Sequence, residues 1–216
     1  RVDARKQAQQ PLFAFDEMEV DWVVVYGLLN QLDEIAAQGL PDWPAGARVE
    51  IAEETVRAWY EGQVLTDPRI AFLVGQALRP FLHRAALAAR PHLSPSAYRR
   101  WGHCPVCGGE PDFSTLERES GVRLLFCSRC DTGWCYKRIG CPFCDTENPR
   151  KLAYYPSDDG IYRLYVCDEC NGYMKTMDLR EAMRPFVLQV ERVLTAGMDL
   201  TASEAGYRPS ASIGKL

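Results

Sequence analysis

Cys104-Pro105-Val106-Cys107, Cys127-Ser128-Arg129-Cys130, Cys141-Pro142-Phe143-Cys144 and Cys167-Asp168-Glu169-Cys170 carry eight of the nine cysteines of this chain. Two residues between thiols let both sulfurs of a tight turn face one point, and two such turns supply the four ligands of a tetrahedral site. Eight thiols in this arrangement predict two all-cysteine metal centres.

The gaps between pairs suggest how they combine. Residues 108–126 and 145–166 are long enough for a hairpin that returns to close a ribbon, whereas only ten residues (131–140) separate the middle pairs. The simplest assignment is sequential: Cys104, Cys107, Cys127 and Cys130 in one centre, then Cys141, Cys144, Cys167 and Cys170 in the other. A cross-brace that pairs the first turn with the third is the alternative. The two halves also repeat. Gly121 leads into Val122-Arg123-Leu124-Leu125-Phe126 before one closing pair, and Gly160 into Ile161-Tyr162-Arg163-Leu164-Tyr165-Val166 before the other. Each segment reads as an apolar and aromatic strand that starts at a glycine turn. Gly108, Asp131, Asp145 and Asn171 follow the four pairs, and these residue types enter the left-handed region most easily. A turn of that kind points backbone amides at the sulfurs and stabilises thiolate charge.

Disulfide scaffolds are typical of short secreted chains; this one has 216 residues, an odd number of cysteines and no apolar leader-like start. Metal-held thiols imply a reducing compartment, hence the cytoplasm. The cofactors expected are two metal ions. Zinc is the default for a closed tetrathiolate site, and rubredoxin-type iron uses the same ligands.

Charge restricts the partners. The formal net charge is −4, and because four thiolates around a divalent ion carry −2, two filled sites take it to −8. That disfavours nucleic acid, whose binding is dominated by phosphate neutralisation. Charge is also uneven: Asp16 to Asp67 holds twelve acidic residues against Arg48 and Arg57, and Arg69 to Gly109 holds six arginines and no acid. The acidic stretch could receive a basic peptide. The arginines read as a solvated helix side or as a face for an anion. No apolar run reaches the ~18 residues of a membrane span.

Around the cysteines the chain reads as helical. Apolar spacing predicts helices over Asp16–Gly39, Val49–Val64 and Asp67 to about Arg90, with a loop over Pro41–Ala47. Asp67 can cap the third helix and Pro68 suits its first turn, while Pro80 predicts a kink or break. Ser94-Pro95-Ser96-Ala97 starts a short helix before the first cysteine pair. Past Cys170 the pattern predicts helix from Asp178 to about Ala196, with Pro185 a candidate break near its start, and from Asp199 to Gly206, one reading being that these pack back on the N-terminal helices, then a tail from Tyr207 to Leu216 that is mobile at its end. The fold expected is α+β: a mostly helical protein carrying two tandem rubredoxin-like zinc ribbons on short β-hairpins. Its domains are 1–100 (helical), 101–140 (first ribbon), 141–177 (second ribbon) and 178–216 (C-terminal helices and tail).

Enzyme signatures are missing. There is no GxGxxG, Walker loop, GxSxG elbow or HExxH pair, and centres closed by four cysteines leave no position for water or substrate. The chain is expected not to be an enzyme. Cys135, in Trp134-Cys135-Tyr136, is either a small buried hydrophobe or an exchangeable thiol. His103 precedes Cys104 and reads as a residue beside the centre, able to ligate only if a cysteine were lost.

The runs Cys104-Pro105-Val106-Cys107-Gly108-Gly109 with Pro111, Arg123-Leu124-Leu125-Phe126-Cys127-Ser128-Arg129-Cys130 with Trp134, Cys141-Pro142-Phe143-Cys144, and Cys167-Asp168-Glu169-Cys170-Asn171-Gly172-Tyr173-Met174-Lys175 resemble the FdhE family of formate dehydrogenase accessory proteins. The segment Asp199-Leu200 to Glu204-Ala205-Gly206-Tyr207 looks like that family's ending. The resemblance is specific from residue 101 to about 180. It implies a cytoplasmic maturation protein that binds the catalytic subunit of formate dehydrogenase, with metal in its cysteine pairs. Family members commonly have a longer helical region. Tyr136, Arg138, Tyr154 and Tyr155 form the expected partner surface. A rubredoxin-like electron carrier and a zinc-ribbon nucleic-acid binder are the rival classes.

Overall fold

The two ribbons share one six-stranded sheet in the computed structural model, which describes residues 2–44 and 51–209. The strands are β1 (Pro111–Leu116), β2 (Arg123–Cys127), β3 (Gly133–Tyr136), β4 (Leu152–Pro156), β5 (Tyr162–Cys167) and β6 (Gly172–Asp178), in the order β3-β2-β1-β6-β5-β4. Within each ribbon neighbouring strands are antiparallel, and the ribbons join through a parallel β1–β6 pairing that sets Phe113 beside Lys175 and Leu116 beside Asp178. Parallel joining of two up-down-up ribbons repeats the first by translation. All four cysteine pairs therefore lie at the same end of the sheet, where β1, β3, β4 and β6 begin.

The chain divides into two compact units, Phe13–Ala89, and Arg1–Leu12 with Arg90–Leu216. In the first, α2 (Trp22–Gly39), α3 (Glu53–Tyr60) and α4 (Pro68–Ala89) enclose Val25, Leu29, Val56, Leu73, Val74, Leu78 and Leu82. The Asp21 carboxylate accepts from the amides of Val23 and Val24, so the helix expected from Asp16 starts at Trp22, after a separate 3-10 turn at Phe15–Glu17. Residues 49 and 50 of the second expected helix, and 45–47 of the expected loop, lie outside the described residues. Asp67 caps α4 as expected, accepting from the Arg69 amide at 2.9 Å. No break occurs at Pro80: α4 runs its full 22 residues, and Leu78 and Leu82 on either side are fully buried. Burial of that face outweighs the one hydrogen bond that proline removes.

In the second unit, α1 (Val2–Gln7) precedes Leu12, whose amide donates to the Pro105 carbonyl at 2.8 Å. At the other end the sequence misleads. Residues 172–178 are strand, residues 179–187 are irregular, and helix begins only with α5 (Leu188–Leu194), followed by α6 (Ala196–Glu204). Pro185 lacks the amide a helix needs, and the side chains from 179 on are used to cover the sheet. Ala182, Phe186 and Leu188 pack on Phe113 and Met177, while Ala202 packs on Leu164, Val166 and Tyr173. The C-terminal helices thus cover the sheet. Residues 210–216 of the tail lie outside the described residues. Among the described residues no helix is long and apolar enough to cross a membrane.

Candidate metal centres

Each cysteine pair is built by the same local turn. Gly108, Asp131, Asp145 and Asn171 all have positive φ, at 74°, 57°, 61° and 55°, as their residue types predicted. The reversal returns the amides of Gly108, Asp131 and Asp145 to the carbonyls of Cys104, Cys127 and Cys141 at 2.9, 3.2 and 3.0 Å. It also leaves the amide two residues past the first cysteine aimed at that sulfur. Val106 donates to Cys104 Sγ and Arg129 to Cys127 Sγ, both at 3.4 Å, and the amides of Phe143 and Glu169 do the same for Cys141 and Cys167. Such donors favour the thiolate.

The turns combine sequentially. Cys104, Cys107, Cys127 and Cys130 form one cluster and Cys141, Cys144, Cys167 and Cys170 another, with the sulfurs of each within 4.8 Å of one another. The cross-brace does not occur. Sulfur separations are 3.5 Å for Cys104–Cys130, Cys107–Cys127 and Cys107–Cys130, then 3.6 Å for Cys141–Cys170 and 3.7 Å for Cys144–Cys167. Four sulfurs at ~2.3 Å from one zinc stand about 3.8 Å apart in a regular tetrahedron. A disulfide would need about 2.05 Å, and all nine cysteines are unbridged. The donor set therefore fits a tetrathiolate ion, and the two sites can hold two metal ions.

Electrostatics point the same way. Burial pushes the Cys104 and Cys141 thiols well above their usual range and Cys170 to about 11. Hydrogen bonds from Cys104, Cys107 and Cys127 pull Cys130 far down. Burial works most strongly against ionised Cys167, yet the amides of Cys170 and Glu169 together with hydrogen bonds from Cys144 and Cys141 outweigh it and hold its pKa low. Four sulfurs in one dry cluster cannot all ionise unless a cation balances them.

Neighbouring side chains hold the turns in place. Arg192 of α5 donates to both oxygens of Asp112 at 2.8 and 2.7 Å, to Asp131 at 2.6 Å and to the Cys127 carbonyl at 2.9 Å, which pins the closing turn of the first centre. Trp134 donates to the Trp101 carbonyl at 2.8 Å and fixes the approach to Cys104. A Cβ at Gly109 would meet Arg129 Cδ at 2.8 Å and Cys127 Sγ at 3.0 Å, so a larger residue there would crowd the closing sulfur. The second centre is held partly by the first ribbon: the Tyr136 hydroxyl donates to the Cys141 carbonyl at 3.0 Å, and Lys137 bonds the Asp145 carboxylate at 2.5 Å. Its closing turn is tied to the chain end, where Tyr207 donates to Asp168 at 2.8 Å and the Arg208 amide to the Asn171 carbonyl at 2.7 Å.

The other candidates fall as follows. His103 packs against the Trp101 ring, centroids 5.0 Å apart, and belongs to neither sulfur cluster. Cys135 is half-buried on β3, with its thiol pushed up mainly by burial. Tyr136 is buried under its bond to Cys141 and so is no part of a surface, whereas Arg138, Tyr154 and Tyr155 are exposed. Sequence reasoning missed Arg192 and Asp112 as supports, because nothing local marks residues that meet across 61 or 80 positions; it placed Tyr136 on the partner surface, although its hydroxyl holds the Cys141 turn five residues on.

With this geometry in view, comparison with known proteins is specific. Residues 103–138 match the family model of the FdhE central domain. A relative named Protein FdhE homolog from Aquifex aeolicus is 32% identical over 149 residues, 66% of this chain and 50% of the relative. One of the same name from Pseudomonas aeruginosa is 33% identical over 202 residues, covering 83% of this chain and 63% of the relative. The chain thus spans half to under two thirds of these relatives' length. The crystal structure of the FdhE protein from Pseudomonas aeruginosa covers all of this chain and 78% of its own with a TM-score of 0.62; at 24% identity that likeness is one of fold.

Proposed function

Because this chain belongs to the FdhE family, with the central-domain match over residues 103–138, we propose that it is a non-catalytic accessory protein that binds the catalytic subunit of formate dehydrogenase and supports its maturation. The carrying observation is the pair of closed four-sulfur clusters at one end of a shared sheet. Such centres offer rigidity and no open coordination position, which suits recognition. Cys104, Cys107, Cys127 and Cys130 would hold one zinc ion, and Cys141, Cys144, Cys167 and Cys170 a second. Structural zinc supplies folding free energy of about 10–16 kcal/mol in small domains, enough to keep short strands ordered without a large core. A chain that depends on reduced thiols works in a reducing compartment such as the cytoplasm.

The partner surface we propose is the outer edge of the second ribbon. β4 is an edge strand, Tyr154 and Tyr155 are 49% and 56% exposed, and Arg138 is exposed on the loop after β3. Exposed aromatic side chains and arginine are the residue types that anchor interfaces.

The test is co-purification of the formate dehydrogenase catalytic subunit on the tagged chain, with metal analysis of the same sample. Wild type should recover the subunit and carry zinc; Cys107→Ser and Cys144→Ser should each lose metal and recovery. Undiminished recovery by both variants removes the ribbons from the mechanism. A coloured preparation with iron and a reversible one-electron wave would replace the accessory role by electron transfer.

A further inference from the structure

A cavity of about 240 Å³ opens against the second ribbon, between the loop after β3 and strands β4 and β5. Phe143, Tyr154 and Tyr165 line it, no Asp or Glu does, and two arginines stand in its wall: Arg138, exposed and bonded to the Gly121 carbonyl at 3.1 Å, and Arg123. Arg123 comes from β2 of the first ribbon. Two strands, β1 and β6, separate it from β5, so its side chain spans the seam to stack 5.0 Å over the Tyr165 ring.

The environment of that guanidinium is unusual for a buried cation. Arg123 is 2% exposed. Its hydrogen bond among the described residues is from Nη1 to the Gly140 carbonyl at 3.2 Å, and its buried Nε has no partner. Three other arginines show how this chain uses the Nε–Nη2 edge. Arg69, Arg180 and Arg192 each turn it to a single carboxylate, of Asp67, Asp178 and Asp112 respectively. That planar fork matches a carboxylate, and a buried charge without a counter-charge is costly.

We propose that this cavity binds a carboxylate carried on an apolar body of side-chain size, with the carboxylate on the Arg123 Nε–Nη2 edge and the body among Phe143, Tyr154 and Tyr165. Its volume lies below the ~300 Å³ at the small end of pockets for drug-sized ligands, which suits a body of side-chain size. A free aromatic acid and the C-terminal residue of a peptide share this chemistry. Cys141 and Cys167 also line the cavity, so the rival role for Arg123 is to balance thiolate charge at the second centre.

Calorimetry on the metal-loaded full chain separates these. The probes are phenylacetate, N-acetyl-phenylalanine and a tripeptide ending in phenylalanine, each beside its neutral amide. The acids should bind saturably, with the amides roughly tenfold or more weaker, as the loss of charge-assisted hydrogen bonds implies. Arg123→Met should erase the difference between acid and amide. Tyr154→Ala, at an exposed position that leaves Arg123 in place, should weaken acid and amide alike and keep their ratio. Tighter binding of the tripeptide than of phenylacetate identifies a chain terminus as the ligand, and the reverse a free acid. The proposal is overturned if the wild type prefers none of the acids to its amide, or if Arg123→Met retains the preference. Loss of the second metal from Arg123→Met with no acid binding to wild type assigns Arg123 to the sulfur centre.

Discussion

The two sulfur centres share one turn design and differ in what surrounds them. All four cysteines of the first are buried, and its closing turn is clamped by Arg192; in the second, Cys144 is half-buried and the adjoining strand β4 is exposed from Ala153 to Pro156. Identical local chemistry therefore sits in one case inside the unit and in the other at its rim. Ligand geometry is set within each turn, whereas exchange and stability are set by packing from distant parts of the chain.

Cysteine replacement should show the largest difference. Cys107→Ser is expected to leave the second centre's metal in place yet remove cooperative unfolding of the sheet, since the first centre is buried and its closing turn is clamped by Arg192 of α5. Cys144→Ser should lose one metal and leave the buried Trp134 fluorescence native. Metal analysis and thermal unfolding followed by tryptophan emission check this; equal effects would erase the contrast between inside and rim.

Next in size come the clamps. Arg192→Met strands Asp112, while Asp131 keeps its bond from Gln189, and should cost about 2–4 kcal/mol in urea unfolding, toward the lower part of the range for breaking buried pairs because the Asp112 side chain keeps 32% exposure. Asp199→Asn loosens the Lys175 pair in the second ribbon and should cost less, about 1 kcal/mol, because Asp199 is 39% exposed. A larger loss from Asp199→Asn would invert the comparison.

The contact between ribbons is tested by Gly102→Ala, whose new carbon would lie 2.0 Å from the Pro142 carbonyl oxygen. Forced movement there should cost about 1–3 kcal/mol and loosen the second centre before the first, seen as earlier metal release to a chelator.

The smallest effect concerns acid. At the ribbon seam Asp178 is fully buried between Arg180 and Arg163, at 2.6 and 2.5 Å, and the Arg180 hydrogen bond leads in holding its carboxyl below the usual range. A depressed carboxyl contributes its full stability above the unfolded value of about 3.9 and loses it as pH falls through the folded value. The stability gap between wild type and Asp178→Asn should be constant from pH 7 to about 5 and shrink below about 4. A gap that widened in acid would contradict the assignment.

How much of this was legible follows from range. The cysteine pairs, the left-handed residues after them and the strands after Gly121 and Gly160 are all local, and the sequence read them correctly. Residues 172–178 hold Lys175, Thr176 and Asp178, and no strand is read there from the sequence, yet all seven are buried in β6. Thr176 meets Ser114 at 2.6 Å across the parallel seam and Lys175 meets Asp199, so polar residues there are satisfied by partners the local sequence does not reveal. Arg123 was read as a strand residue for the same reason. Pro80 shows the converse, a strong local signal overruled by packing.

Sulfur coordination is the central claim, and X-ray absorption of the anaerobically purified chain with metal quantitation tests it most directly. The account predicts two metal ions per chain, each with four sulfur neighbours at about 2.3 Å if zinc. One ion per chain, mixed nitrogen and sulfur shells, or disulfides at these cysteines would contradict it.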